Sequence, residues 1–414
     1  MIKTLKVDVK SLRANLRGQD GVFYLGLFFI VLYYLRPQYI FPQLLIVPWL
    51  QVTILSGLLL ILVNSRLGFR KQHFTIFTFA ILAWLSAKNS LYPYISSQDI
   101  YSPFIFAIEV LFLSNTVRNV VQLRLLLIVF FLCIFKMSFF GARTWVSRGF
   151  GFTDWGIQGP PGFFQNSGEF TLLMAISAVM SIPVIASYKP TTIIYWIFPL
   201  TAIMTVLGAS SRGGQLALVV GLIYLLLAFK KINFKYIVCL TVVVAVTWTV
   251  FPQEQKDRFI SAGEDKTSSS RLAYWEAGID MALNRPLLGV GYKAFSEHYY
   301  INYRDGEDLA IQRKEVAHNS LVQVASTLGI PSLIIYCLFH LFVINRPSWF
   351  PKRKSITWNE GDELFLKNCA IALNASVIVY FIGAFFMSVA FYPYIYFLMS
   401  ISIILDRLKR EGIK

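Results

Sequence analysis

The run NVVQLRLLLIVFFLCIFKMSFF, residues 119–140, decides the fold. Its only charged residues are Arg124 and Lys136, and it covers the roughly 20 residues a helix needs to cross a hydrocarbon core of about 30 Å. Working outward, apolar runs recur at about 22–35, 44–63, 73–87, 100–117, 168–187, 191–209, 213–229, 234–252, 319–344, 365–389 and 391–405. The chain therefore reads as an all-α polytopic membrane protein with about 12 transmembrane helices. Composition agrees: of 414 residues, 56% are hydrophobic and 14% charged, whereas soluble domains carry about 25% charged residues. An ordinary cytosolic enzyme is excluded.

A formal net charge of +16 would suggest nucleic acid in a soluble protein. Here the basic residues first have to be sorted by side of the membrane. Lys3, Lys6, Lys10, Arg13 and Arg17 recur beside Ile2, Leu5, Val9, Leu12 and Leu16, which suits a helix lying on an anionic leaflet. The first apolar run ends in Tyr-Tyr-Leu-Arg-Pro and not in small residues, so it does not read as a cleavable signal. With the N-terminus inside, alternation places Arg66, Arg70, Lys71, Arg118, Arg124, Lys189, Lys230, Lys231, Lys235, Arg346, Lys352, Arg353, Lys354, Arg407, Lys409, Arg410 and Lys414 on the inner side. The short outer segments hold only Arg36, Lys88, Arg143, Arg148 and Arg212. This bias predicts both termini in the cytoplasm and accounts for most of the positive charge without nucleic acid.

The expected organisation is a basic amphipathic helix at 1–19, about nine spans in 20–252, a long outer loop at 253–316, about three spans in 317–406 and a basic tail at 407–414. Within the loop, Ser268-Ser269-Ser270 reads as a helix start. Arg271, Leu272, Trp275, Ile279 and Leu283 repeat at helical spacing until Asn284-Arg285-Pro286 stops them. Cys133, Cys239, Cys337 and Cys369 all lie in apolar runs, with no metal-ligand or disulfide spacing.

Polar motifs at one membrane face are costly to keep without purpose, and four interrupt the apolar runs on the outer side. In Ser210-Ser211-Arg212-Gly213-Gly214-Gln215, an Arg and two glycines at a helix start form either a phosphate cradle or a tight hairpin with Arg212 reaching the headgroups. In Ser268-Ser269-Ser270-Arg271, Arg271 falls in the first turn of the loop helix, where the dipole disfavours a cation unless an anion compensates it. Leu288-Gly289-Val290-Gly291 follows as a bland turn, since it neither leaves a strand nor opens a helix. In Ala317-His318-Asn319-Ser320, His318 stands at a helix entrance that favours a neutral, proton-accepting imidazole; the plain alternative makes Asn319 or Ser320 the cap and His318 passive. Before the sixth run, Gln165-Asn166-Ser167 follows an aromatic loop with Arg143, Arg148, Trp145 and Trp155, material common in sugar sites and in interfacial belts alike. There is no Asp-x-Asp, no Walker loop and no His/Asp/Glu metal spacing, which disfavours a metal-dependent transferase using nucleotide sugars.

The order Ser211-Arg212-Gly213-Gly214, then Ser-Ser-Arg with Trp275 and Pro286-Leu287-Leu288-Gly289-Val290-Gly291, then His318-Asn319-Ser320 leading into Leu328-Gly329-Ile330-Pro331, resembles the O-antigen ligase and polymerase superfamily of bacterial envelopes. The resemblance is tightest over residues 160–345. It implies a GT-C-like glycosyltransferase fold in the bacterial inner membrane, active at the periplasmic face without metal or cofactor. The donor would be a glycan on undecaprenyl diphosphate and the acceptor a glycan or lipid, amid membrane lipids. Carried over by motif, Arg212 and Arg271 would hold the diphosphate and His318 would be the general base, with Gly213, Gly214, Asn166, Asn319, Arg143, Arg148 and Trp275 binding substrate. Ligase ranks above polymerase and protein-directed transfer. A lipid-linked glycan transporter is the non-enzyme alternative, although its expected mid-span charges and symmetry between halves are not evident.

Overall fold

The computed structural model describes residues 16–151, 156–188, 193–229, 249, 253–260, 266–303, 315–344 and 359–411. Most of the expected amphipathic helix at the N-terminus and nearly all of the ninth apolar run lie outside the described residues, as does the end of the basic tail. The helices of eight residues or more are α1 (Gly21–Ile30), α2 (Trp49–Val63), α3 (Lys71–Lys88), α4 (Ser102–Thr116), α5 (Val120–Ser147), α6 (Ser167–Ile185), α7 (Ile197–Gly208) and α8 (Arg212–Ala228). They continue with α9 (Gln253–Ile260), α10 (Lys266–Asn284), α11 (Phe295–Asn302), α12 (Ser320–Leu328), α13 (Ile330–Val343), α14 (Glu360–Ala384) and α15 (Pro393–Glu411). No strand occurs among the described residues. Helices α5, α6 and α14 are long and apolar enough to cross a membrane, and several shorter apolar helices accompany them.

Polar residues punctuate the apolar runs as helix starts. Asp20 accepts from the amide of Phe23 at 2.9 Å, Asn119 from Gln122 at 2.9 Å and Asn359 from Asp362 at 2.9 Å, each satisfying an amide left open in a first turn. Helix α14 is the hub of the bundle, packing on α6, α8 and α15, while α7 lies on α5 and α6, and α13 on α3. The exterior is apolar where a soluble protein would be polar: Leu55, Leu59 and Leu62 on α2, and Leu216, Val219 and Leu227 on α8, are exposed. Such a surface is matched by lipid and not by water.

One end of the bundle gathers arginines. Arg66 pairs with Asp20, Arg118 donates to the carbonyl of Arg66, Arg124 pairs with Asp362, and Arg407 donates to the carbonyls of Ser114 and Val117. These are residues the sequence assigned to one side, and their carbonyl acceptors come from the open ends of α4 and of the turn after α2.

Two differences from the sequence reading matter. The apolar run at 319–344 is two helices, α12 and α13, broken at Gly329 with φ 84° and ψ 171°. The break admits the long loop. A Cβ at residue 329 would lie 2.7 Å from the carbonyl oxygen of Pro286 and closer still to the carbonyl group of Leu287, while the amide of Ile330 donates to Pro286 at 2.7 Å. The loop helix α10 begins at Lys266, so Arg271 sits in the second turn and not the first. Its anticipated apolar face is also turned outward, with Leu272, Ile279 and Leu283 exposed, while Ala277, Gly278 and Met281 pack inward.

Candidate functional site

The end of the bundle opposite the arginine cluster is built from helix starts. At the α7–α8 corner, the side-chain amide of Gln215 donates to the carbonyls of Leu207 at 3.2 Å and Ala209 at 3.1 Å. It closes the open end of α7 with a group from α8 and so fixes the turn that presents Ser210, Ser211 and Arg212. Ser211 caps α8, its Oγ accepting from the Gly214 amide at 3.4 Å, and Arg212 is the first helical residue, half-buried. The glycines serve close packing: a Cβ at Gly213 would lie 2.7 Å from Cβ of Phe386, and one at Gly214 3.0 Å from Cβ of Thr171.

Asn166 caps α6, its Oδ1 accepting from the Gly168 amide at 2.8 Å. Gly156, in the left-handed region at φ 64°, would place a Cβ 2.9 Å from the amide nitrogen of Ser210 and against Ser167, so the segment before α6 touches both helix starts at once. Arg36, ending the first helical segment, is buried; it donates to the carbonyl of Pro161 and lies 4.1 Å over the ring of Tyr39. Arg143 and Arg148, at the end of α5, are exposed.

The long loop is fastened to the bundle by backbone. Val290 donates to Ser326 at 2.9 Å and Gly291 to Thr327 at 3.2 Å, while Leu91 donates to Val290 at 3.0 Å. Gly289, at φ 63°, lets this segment lie against the last turn of α12, so the Gly-x-Gly is a docking turn. From α10, the indole Nε1 of Trp275 donates to the carbonyl of Ala317 at 3.1 Å, directly before His318. Asn319 is the cap of α12, its Oδ1 accepting from Leu321 at 2.8 Å and Val322 at 3.2 Å. His318 has φ 49°, a left-handed conformation that costs an L-residue about 1–2 kcal/mol and persists where its surroundings impose it. Its Nε2 lies 3.5 Å from Oε2 of Glu315, and its ring centroid is 6.2 Å from that of Tyr274.

These pieces meet on the turn between α14 and α15, which the sequence reading passed over. The ring of Phe385 lies 5.3 Å from that of Trp275, and Phe386 packs on Gly213. Ser320 Oγ donates to the carbonyl of Met387 at 2.7 Å and accepts from the amide of Val389 at 2.8 Å. The sulfur of Met387 is 3.7 Å from a Cβ placed at Gly168. The turn thus touches the residue after Arg212, the indole one helical turn beyond Arg271, the helix that follows His318 and the first turn of α6. Arg212 and Arg271, both half-buried, and His318, with 30% of its side chain exposed, come to one end of the molecule from three separate parts of the chain. Chemically, two guanidiniums suit an anion with several oxygens, and an imidazole beside a carboxylate suits proton transfer. Among the described residues, no group of three or more His, Cys, Asp or Glu could hold a metal ion.

An apolar-jacketed bundle with its polar, cationic residues gathered at helix starts defines a membrane protein with a polar site at one end. Residues 197–337, which contain Arg212, Arg271 and His318, match the O-antigen ligase family, and this match supports membership of the O-antigen ligase and polymerase superfamily. No match to the chain is found among curated proteins. The family is one of membrane glycan transfer in the bacterial envelope, with lipid-linked glycan and acceptor as its general substrates.

Proposed function

We propose that the protein is a glycosyltransferase of the O-antigen ligase type, moving a glycan from undecaprenyl diphosphate to an acceptor hydroxyl at the periplasmic face of the inner membrane. The observation that carries this reading is the meeting of the Arg212, Arg271 and His318 segments on the turn after α14. The acceptor hydroxyl gives its proton to the His318 imidazole as its oxygen bonds the anomeric carbon. The bond from that carbon to the diphosphate breaks, and the electron pair leaves on the diphosphate. Arg212 and Arg271 hold that charge, since such a leaving group needs fixed positive charge more than it needs an acid. General-base assistance of this kind is worth about 10²–10⁴-fold in rate.

The test uses purified protein in liposomes with a lipid-linked oligosaccharide and an acceptor. His318→Ala should lose transfer by at least about a hundredfold; a fully active His318→Ala protein refutes the assignment. Deleting the gene and sizing envelope glycans separates the two leading forms of the reaction. Loss of all long chains from the lipid with polymer left on its carrier marks a ligase, and single repeat units left on the acceptor mark a polymerase.

A further inference from the structure

Glu169 stands in the first turn of α6, beyond the Asn166 cap, and is the one charged residue of that helix. Its Oε2 is buried and has no hydrogen-bond partner among the described residues. A buried carboxylate oxygen left unmatched costs free energy, and such a group persists where a partner arrives during function. The turn that holds Glu169 is itself well fixed: the hydroxyl of Tyr394 donates to the Glu169 carbonyl at 2.7 Å, and Thr171 Oγ1 donates to the Ser167 carbonyl at 2.6 Å.

What could partner this oxygen is set by the turn after α14. Met387 meets Gly168 on one side and, through its carbonyl, Ser320 on the other, so the first turns of α6 and α12 flank a single residue. His318 stands two residues before α12, so the loop that carries it enters beside Met387; Tyr394, bonded to the Glu169 carbonyl, and Tyr392, whose ring lies 5.9 Å from that of Tyr394, are the ionisable groups on the side of the turn after α14. From the loop side, His318 faces Glu315 and Tyr274. The two carboxylates differ in setting. Glu315 is about a third exposed, where water weakens an ion pair, whereas Glu169 acts from a buried position where a charge is felt more strongly.

We propose that Glu169 is a positioning residue for His318, orienting the imidazole and stabilising the imidazolium formed as the acceptor hydroxyl gives up its proton. This rests on the reading of His318 as the base. The O–H bond of the acceptor breaks, its proton bonds an imidazole nitrogen, and the positive charge so created meets the unmatched oxygen of Glu169. The carboxylate is not consumed.

The full chain in liposomes tests this with Glu169→Gln, Glu169→Asp, Glu315→Gln and His318→Ala, reading glycan turnover across pH together with binding of the lipid-linked diphosphate donor. Glu169→Gln should cut turnover by about tenfold or more while donor affinity stays within about twofold. The acidic limb of its pH–rate profile should move to lower pH, because an imidazolium without its carboxylate forms less readily. Glu169→Asp should recover part of the rate, and Glu315→Gln should have the smaller effect. Unchanged turnover and an unmoved limb in Glu169→Gln would overturn the proposal. So would a parallel loss of turnover and donor binding with no movement of the limb, which marks a structural role. If His318→Ala is inactive while Glu169→Gln is normal, only the positioning role falls; if His318→Ala is fully active, the base reading falls first.

Discussion

Gly329→Ala is the sharpest perturbation of this architecture. Residue 329 has φ 84° and ψ 171°, a region held almost entirely by glycine, and an L-residue there costs about 1–3 kcal/mol. The new methyl would also lie 2.7 Å from the Pro286 carbonyl oxygen, closer still to the Leu287 carbonyl group, and these backbone atoms cannot rotate away as a side chain can. Overpacking of this kind adds about 1–3 kcal/mol, so about 2–6 kcal/mol in all is expected, set against a total stability of about 5–15 kcal/mol for a typical domain. The loss should appear as a lower midpoint of thermal unfolding in detergent. It should also appear as faster hydrogen exchange at the amides that fasten the loop, Ile330 to Pro286 at 2.7 Å and Val290 to Ser326 at 2.9 Å. Gly18→Ala, where nothing lies within 4 Å, is the control and should shift stability by less than about 0.5 kcal/mol. An unchanged midpoint together with unchanged exchange at Ile330 and Val290 would refute the reasoning.

Trp275→Phe keeps a ring against Phe385 but removes the donor to the Ala317 carbonyl. Stability should fall by only about 0.5–1.5 kcal/mol, whereas glycan transfer should fall about tenfold or more as His318 loses its hold, and equal transfer by mutant and wild type would count against that tether. Ser320→Ala leaves the Met387 carbonyl and the Val389 amide unmatched, so thermal stability should drop by about 1–3 kcal/mol for each group that finds no water. A wild-type unfolding midpoint would argue that the turn after α14 is not held this way. His298, whose Nδ1 meets the Tyr92 hydroxyl at 3.1 Å, titrates below the ordinary histidine value of about 6.5. Burial is the first cause and Arg285 the second, with Asp280 opposing. The unfolded loop therefore takes up a proton before the folded one does, so stability is complete above about pH 6.5 and is lost as pH falls below it. Exchange in α11, corrected for intrinsic rates, should rise between pH 7.5 and 5.5, and His298→Gln should flatten that rise.

Much of this was legible in the sequence because it rests on side-chain chemistry. Asn119, Asn166 and Ser211 are cap residues placed before apolar runs, and α10 stops at Asn284, before Pro286. For Asn319 the geometry displays a cap whose side-chain oxygen accepts from two amides of its own helix. The break at Gly329 was signalled by Gly329 followed by Pro331, yet the continuous apolarity of 319–344 masked it, since hydropathy does not register backbone conformation. The outward turn of Leu272 and Ile279 was missed for a related reason: helical spacing identifies a stripe without saying whether lipid or protein covers it. The turn after α14 could not have been found, because it works through the carbonyl of Met387 and the amide of Val389, and every residue carries those groups. Glu169 was visible as one acidic residue at the start of an apolar helix, but its neighbour His318 lies far along the chain.

The break at Gly329 also has a mechanical meaning. A single rod from Ser320 to Val343 would answer any change in bilayer thickness by tilting, and its end would carry His318 through an arc. Divided at Gly329, the rod becomes two levers on different supports. The short α12 is clasped by Ser326 and Thr327 to the loop and by Ser320 to the turn after α14, while α13 rests on α3. The histidine is thereby held by supports other than those that hold the longer, lipid-facing half of the run.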